Sequence, residues 1–145
     1  HSDWTLARNA EGQIGNEPLI PSEQFLGGGL DSVRGYLQSE AGGDQGWRTQ
    51  IELRTPAARN FLPVIGGVRL HEQVRLLAFY DVAQLITLGT RARELPSTQT
   101  LRGTGIGVRA SLLDALNAEF LLASAREETS ESAGLRYHFR LSAGF

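Results

Sequence analysis

Alternation of apolar and polar residues is the dominant pattern of this chain, and it is clearest at the C-terminal end. In the segment 134–145 the positions between the apolar residues are Arg, His, Arg, Ser and Gly. Such strict alternation is typical of a β-strand with one apolar and one polar face, because successive side chains point to opposite sides. The apolar positions are Leu135, Tyr137, Phe139, Leu141, Ala143 and Phe145.

The same alternation recurs in earlier segments, with charged residues or glycines at many of the intervening positions. Near the N-terminus, Trp4 and Leu6 begin a similar pattern that Arg8 interrupts. The sequence therefore predicts an all-β chain with six antiparallel strands. The outward-facing sets of the four central strands are Trp47, Thr49, Ile51 and Leu53; Val74, Leu76, Ala78, Tyr80 and Val82; Ile106, Val108, Ala110 and Leu112; and Leu116, Ala118, Phe120 and Leu122.

The connections between these strands differ in length in a regular way. Leu113–Ala115 forms a very short turn, whereas the flanking segments 87–100 and 126–133 are longer and polar. Bacterial outer-membrane barrels join their strands by short periplasmic turns and longer external loops. The segment 56–72 does not fit, because it falls on the short-turn side and is long. The longest connection, residues 15–45, is rich in glycine, and loops of that length are usually functional or disordered.

Two architectures are compatible with the alternation. A membrane barrel presents its apolar faces to lipid and its polar faces to the lumen, whereas a soluble antiparallel sheet buries the apolar face. No segment has the roughly 20 consecutive apolar residues of a transmembrane helix. The net charge of −2 gives no basic excess for nucleic acid, and the absence of cysteine excludes disulfides and thiolate metal ligands.

No catalytic, metal-binding or cofactor-binding pattern is visible, so the chain is not expected to be an enzyme. Gly27-Gly28-Gly29 lacks the following Gly-Lys-Ser/Thr of a phosphate loop. His71 and His138 have no carboxylates at metal-ligand spacing, and Ser32 is not in a nucleophile elbow.

Two features resemble the haemolysin secretion/activation transporters of two-partner secretion, and a third resembles bacterial outer-membrane barrels in general. The segment 22–36, Ser-Glu-Gln-Phe-Leu-Gly-Gly-Gly-Leu-Asp-Ser-Val-Arg-Gly-Tyr, resembles the family's sixth-loop motif, whose core is here Val33-Arg34-Gly35-Tyr36. The segment 79–83, Phe-Tyr-Asp-Val-Ala, is similar to the family's Phe-x-Asp-x-Gly strand motif, with Ala83 in place of glycine. The terminal Phe145 after an alternating strand resembles the C-terminal signal of outer-membrane barrels.

The resemblance implies a fold and a site. Family members carry periplasmic domains before a 16-stranded transmembrane β-barrel, so residues 1–145 would be its C-terminal six-strand portion. The sixth loop would fold into the barrel, and its arginine, Arg34, would meet the strand carboxylate of Asp81. The implied site residues are Gly27, Gly28, Val33, Arg34, Gly35 and Tyr36 in the loop; Phe79 and Asp81 in the lumen; and Tyr137, Phe139, Leu141 and Phe145 in the C-terminal signal.

The function implied by the resemblance is export of a partner exoprotein of the haemolysin or adhesin type across the bacterial outer membrane. No cofactor and no nucleic acid are expected. The expected partners are the exported protein, outer-membrane lipid and the barrel assembly machinery. Two alternatives remain: a factor that inserts other barrels into the membrane, and, in a different class, a soluble β-domain that acts as a binding module.

Overall fold

The computed structural model describes residues 3–59, 72–89, 95–112, 116–127, 129 and 134–144. In these residues no helix is long and apolar enough to cross a membrane. The strands are β1 (Thr5–Gln13), β2 (Phe25–Gly27), β3 (Ala41–Gly43), β4 (Gln45–Arg54), β5 (Ala58–Arg59), β6 (Glu72–Thr87), β7 (Ser97–Leu112), β8 (Leu116–Ala125) and β9 (Leu135–Ala143).

Six of the strands form one antiparallel sheet in the order β1-β4-β6-β7-β8-β9. The predicted all-β, six-strand antiparallel architecture is thereby confirmed. The sheet is open, with β1 at one edge and β9 at the other. The short strand β5 pairs with the start of β6, and β2 and β3 form a separate two-stranded sheet within the long connection.

Several predicted boundaries require correction. The connection predicted at 87–100 spans only 88–96, because Gln84 to Thr87 pair with Ser97 to Thr100 and lengthen both strands. The N-terminal strand continues past Arg8, which lies opposite Ile51. Its backbone pairing with β4 therefore outweighs the interrupted side-chain pattern. The turn 113–115, residues 60–71 of the uninterpreted segment, His71 and Phe145 lie outside the described residues.

The apolar alternating residues lie on one exposed face of the sheet. On β4, Trp47, Ile51 and Leu53 are 45%, 38% and 43% exposed, whereas Glu52 between them is 7% exposed. On β9, Tyr137 and Phe139 are exposed as well. A soluble sheet would bury these side chains and expose the carboxylate. This arrangement matches the face assignment predicted for a barrel wall, in which the apolar side meets lipid.

The opposite, inner face is covered by the connection between β1 and β4, residues 14–44, which we call the inner loop. The alternation predicts a face that is only partly polar, with Leu77, Phe79 and Leu121 at inward positions, and the structure buries these three residues there. There the sheet contributes apolar side chains, because the loop removes them from water. The first buried cluster joins loop residues Phe25, Val33, Tyr36 and Ala41 to Ala83, Leu85, Leu101 and Ala125 of the sheet.

A second buried cluster lies next to the first on the inner face. It consists of Leu77 and Phe79 of β6 and Leu121 and Ala123 of β8, with Leu30 of the inner loop packed against it. Full burial of a leucine-sized side chain stabilises by about 1.5–3 kcal/mol. The two clusters together hold the inner loop against the sheet.

The assignment of the outer face to lipid makes a prediction about a single strand. In the full-length protein, Ile106→Arg on β7 should reduce membrane insertion sharply, because arginine on the lipid face costs about 2–4 kcal/mol at the bilayer midplane. Thr98 lies on the same face but is the second residue of β7, and so lies near the boundary of the membrane. Thr98→Arg should therefore cost about 0–1 kcal/mol. The fraction of heat-modifiable, membrane-inserted protein measures both, and equal effects of the two substitutions would contradict the assignment.

Candidate functional site on the inner face of the sheet

Three glycines with positive φ shape the tip of the inner loop. Gly28, Gly29 and Gly35 have φ of 103°, 98° and 105°, which other residues rarely adopt. The turn is closed by the Gly28 amide, which donates to the hydroxyl of Ser32 at 3.2 Å, and by the Gly29 amide, which donates to the carbonyl of Val33 at 3.1 Å. The turn delivers the Val-Arg-Gly-Tyr segment to the sheet.

Arg34 makes a two-pronged contact with Asp81 of β6. Its Nε donates to Oδ2 and its Nη2 to Oδ1, each at 2.7 Å, and its backbone amide donates to Oδ2 at 3.0 Å. Arg34 is 4% exposed and Asp81 is fully buried. Paired planar groups of this kind form strong, directional hydrogen bonds. The structure therefore brings together the two residues that the family resemblance had linked.

A second carboxylate and an aromatic ring complete the surroundings of the Arg34 guanidinium. Nη1 donates to Oε2 of Glu52 on β4 at 2.7 Å. The guanidinium carbon lies 3.7 Å from the ring centroid of Phe79, close enough for a cation–π contact. Glu52 and Phe79 are cross-strand partners, so the β4–β6 register places the acid and the ring together.

Glu52 extends this contact into a wider charge network. Its Oε1 accepts from Nε of Arg54 at 2.6 Å and lies 3.4 Å from Nη1 of Arg109 on β7. Arg109 in turn pairs with Glu119, its cross-strand neighbour on β8. Together with Arg34 and Asp81, the network contains three arginines and three carboxylates, so its formal charges balance.

Tyr36 attaches the loop to the end of the β7–β8 pair. Its ring is fully buried, and its hydroxyl accepts from the backbone amides of Arg102 at 3.3 Å and Glu127 at 3.1 Å. The same hydroxyl lies 2.8 Å from the Glu127 carbonyl, to which it can donate. Beside it, a Cβ on Gly35 would lie 2.9 Å from the backbone nitrogen of Ala125. Glycine is thus required at position 35 by both conformation and space.

The docked loop also depends on glycine in the sheet. Gly103 of β7 is the cross-strand partner of Asp81, and a Cβ there would overlap the carbonyl oxygen of Arg34. Gly105 leaves room for the ring of Phe79 and Gly107 for the side chain of Leu121. These three inner-face glycines let the loop backbone and the large side chains approach the sheet.

Asp44 anchors the base of the inner loop. It is 1% exposed. Its Oδ1 accepts from the backbone amide of Leu19 at 2.8 Å and from the side-chain amide of Gln24 at 3.2 Å, and its Oδ2 accepts from the amide of Leu88 at 2.6 Å. The hydrogen bonds from the Leu19 and Leu88 amides hold the pKa of the Asp44 carboxyl below its usual range.

The other predicted site residues occupy distinct places. Gly27 lies in β2, where a Cβ would meet the side chains of Leu85 and Leu101. Tyr137, Phe139 and Leu141 lie on the exposed outer face of β9, away from the Arg34 contact.

Sequence reasoning missed the roles of Glu52, Asp44 and His138. Glu52 was assigned to the inner face, but its partner depends on strand register. Asp44 is a single acid at the end of a glycine-rich segment, with no local signal of its contacts. His138 has no local pattern that predicts a partner; its Nε2 accepts from the amide of Gly35 at 3.3 Å. In the described residues, no group of three or more His, Cys, Asp and Glu side chains could hold a metal ion.

The sheet, with its apolar outer face and an inner loop locked to its inner face, defines a segment of barrel wall with an internal loop. A family model for the haemolysin secretion/activation protein ShlB/FhaC/HecB matches residues 1–110, which is more than half of the chain. The chain therefore belongs to this family of transporters. Comparison with curated proteins gave no match, and comparison with solved structures gave none either.

The matched region contains both halves of the Arg34 contact. The Val-Arg-Gly-Tyr segment, Glu52 and the Phe79–Ala83 motif all lie before residue 110, whereas β8 and β9 lie after it. Ala83, the departure from the strand motif, is fully buried against the inner loop. The position therefore accommodates one methyl group in the docked arrangement.

The space at Gly103 generates a test of loop docking. In the full-length protein, Gly103→Val should displace the Arg34 backbone, because overpacking typically costs about 1–3 kcal/mol. Arg34 is the only trypsin site in residues 14–44. Tryptic cleavage after Arg34 should therefore become roughly tenfold faster, given that 1.4 kcal/mol is tenfold in an equilibrium. Gly144→Ala, where a Cβ meets nothing within 4 Å, is the matched control. Unchanged cleavage of the valine variant would contradict the docking model.

The Asp44 anchor generates a pH prediction. Because the folded-state pKa is depressed, its contribution is fully present above the ordinary aspartate pKa of about 3.9 and is lost as pH falls through the lower folded value. Hydrogen exchange of the Leu19 and Leu88 amides, corrected for intrinsic rates, should stay slow down to about pH 4 and accelerate below it. Asp44→Asn should exchange faster already at pH 7 and lose that acid-dependent step. Exposed Glu17→Gln is the control, and a wild-type profile in Asp44→Asn would exclude the anchor.

Proposed function

We propose that the whole protein is an outer-membrane transporter that exports a partner protein through its barrel, and that residues 1–145 form the C-terminal part of that barrel. The observation that carries the proposal is the buried contact of Arg34 with Asp81 and Glu52 on the inner face. It holds a 31-residue connection where a lumen would be. Membership of the haemolysin secretion/activation family supports the same reading.

The contact gives the inner loop a defined role in this proposal. The loop backbone and its apolar residues lie on the inner wall, in space that an exported chain would share. The exported partner would be an unfolded exoprotein of the haemolysin or adhesin type, conducted passively, with the free energy supplied by its folding outside. Arg34 and Tyr36 fix the loop at two points of the wall, and Gly27, Gly28, Val33 and Gly35 shape the segment between and before them.

The outer face and the last strand supply the other proposed partners. The exposed apolar side chains of β9 would contact outer-membrane lipid. Tyr137, Phe139, Leu141 and Phe145 would form the C-terminal signal that the barrel assembly machinery reads. The family match favours export over insertion of other barrels, and the exposed apolar face argues against a soluble binding module.

Export by the full-length transporter tests the proposed role of the contact. Arg34→Ala and Asp81→Ala should each impair export of the cognate partner, because removing one member of a buried pair typically costs about 3–5 kcal/mol. Water in the lumen would lessen that cost. The double variant should be little worse than either single one, since residues that share one interaction are non-additive.

Secreted partner is measured per inserted transporter in the wild type, the two single variants and the double variant. The matched control is Arg140→Ala, which breaks the exposed pair of Arg140 with Asp31 between the same loop and β9, a pair with side chains 47% and 70% exposed. Exposed pairs contribute little, so export should be close to normal. Strictly additive defects of Arg34→Ala and Asp81→Ala, or no defect, would defeat the proposal.

A further inference from the structure

The outer face of β7 and β8 changes from apolar to basic along the strands. Ile106 of β7 and Leu122 of β8 are cross-strand partners. Toward the start of β7 and the end of β8, the next outward pair is Thr104 with Ser124. Beyond that pair lie two exposed arginines, Arg102 and Arg126, joined through the Arg126 amide and the Arg102 carbonyl at 2.8 Å. Two cations, the carboxylate of Glu127 beside Arg102 and two hydroxyls thus stand together at one end of an apolar surface.

Contacts on the surface orient both arginines. Nε of Arg126 donates to the Thr104 hydroxyl at 3.1 Å. Nη1 of Arg102 pairs with Oε1 of Glu127 at 2.6 Å, and these two side chains are 48% and 44% exposed. A guanidinium has five N–H donors, so each of these contacts engages only part of the group.

An apolar groove of about 570 Å³ lies on the same face, and its lining begins at Ile106 and Leu122, the outward pair that follows Thr104 and Ser124. Its lining includes Ala78 and Gly107 together with the large side chains of Trp4, Ile106 and Phe120. A cavity of this size and lining suits hydrocarbon rather than water.

We propose that this groove and the Arg102/Arg126 pair form one lipid-binding site for lipid A, the phosphorylated and acylated lipid of the external leaflet. A phosphate would accept charge-assisted hydrogen bonds from the two guanidinium groups while an acyl chain occupies the groove. A strand rises about 3.3–3.4 Å per residue, so the α-carbons of Arg102 and Ile106 are roughly 13 Å apart. A lipid that lies along β7 and β8 would therefore place its phosphate at the arginines and its acyl chain at Ile106.

The choice of leaflet rests on the proposed function. In that orientation the external end of the sheet is the one at which β6 and β8 end and β7 and β9 begin, and Arg102 and Arg126 lie toward that end. Basic side chains beside an apolar membrane surface attract anionic lipid headgroups.

Native mass spectrometry of the purified full-length protein in detergent tests the site, with lipid A and phosphatidylglycerol as the two probes. The double variant Arg102→Gln/Arg126→Gln should bind lipid A about tenfold more weakly, since charge-assisted hydrogen bonds of this kind are worth about one decade in affinity. The double variant to lysine keeps the charges and should lose less. Ala78→Phe, which fills the groove, should also weaken lipid A binding.

Two controls are available on the same face. Arg8→Gln removes an exposed arginine of β1 that does not line the groove and is separated from β7 by β4 and β6, and Val74→Phe adds a ring on β6 at a position that does not line the groove. Both should bind lipid A like the wild type. Wild-type affinity in Arg102→Gln/Arg126→Gln, an equal loss in Arg8→Gln, or an equal dependence of phosphatidylglycerol binding on the two arginines would each overturn the proposal.

The outcome is separable from that of the proposed function. Lipid binding is measured on folded, heat-modifiable protein without any exported partner, and export is measured in parallel. If the wild-type protein exports nothing but binds lipid A through Arg102 and Arg126, the export proposal is wrong and the lipid site stands. If the protein exports its partner but binds lipid A equally well without the two arginines, the lipid site is wrong and the export proposal stands.

Discussion

The Arg34 guanidinium is held between two buried carboxylates, and the position of the whole inner loop depends on that contact. Removing three charges from water is costly unless each is closely paired. Asp81 accepts hydrogen bonds from Nε, Nη2 and the backbone amide of Arg34, and Glu52 accepts one from Nη1. The ring of Phe79 lies against the face of the guanidinium. The loop can satisfy these groups together in one arrangement, which selects a single docked position.

The remainder of the inner face is built around that arrangement. Glycines at 103, 105 and 107 are placed where the loop backbone and large side chains approach most closely. Two apolar clusters then fill the space on either side of the charged contact. The outer face differs from the inner one because its apolar side chains are exposed along the strands instead of being covered by a loop. One sheet thus combines a polypeptide-binding side and a lipid-facing side through the alternation of its side chains.

The strands and the two faces could be predicted from the sequence because alternation at every second residue directly reports which side each residue faces. The Arg34–Asp81 contact was accessible through its family resemblance. Other features depend on information that a linear pattern lacks. The position of Glu52 follows from register, the contacts of Asp44 from the path of the loop, and the buried Leu85 and Leu101 from coverage by a distant segment. The strand ends at Thr87 and Ser97 were missed because their polar residues also suit loops.

Glu52 pairs with Arg54 and Arg109 as well as with Arg34, so release of the inner loop affects Glu52 and Asp81 differently. When Arg34 withdraws, Glu52 still has Arg54 and Arg109 beside it. Among the described residues, by contrast, the hydrogen bonds to Asp81 all come from Arg34, so the carboxylate of Asp81 is left uncompensated in a nearly dry site. The electrostatic cost of undocking the loop therefore falls mainly on Asp81, whose only described partner is Arg34, and much less on Glu52, which keeps two arginines.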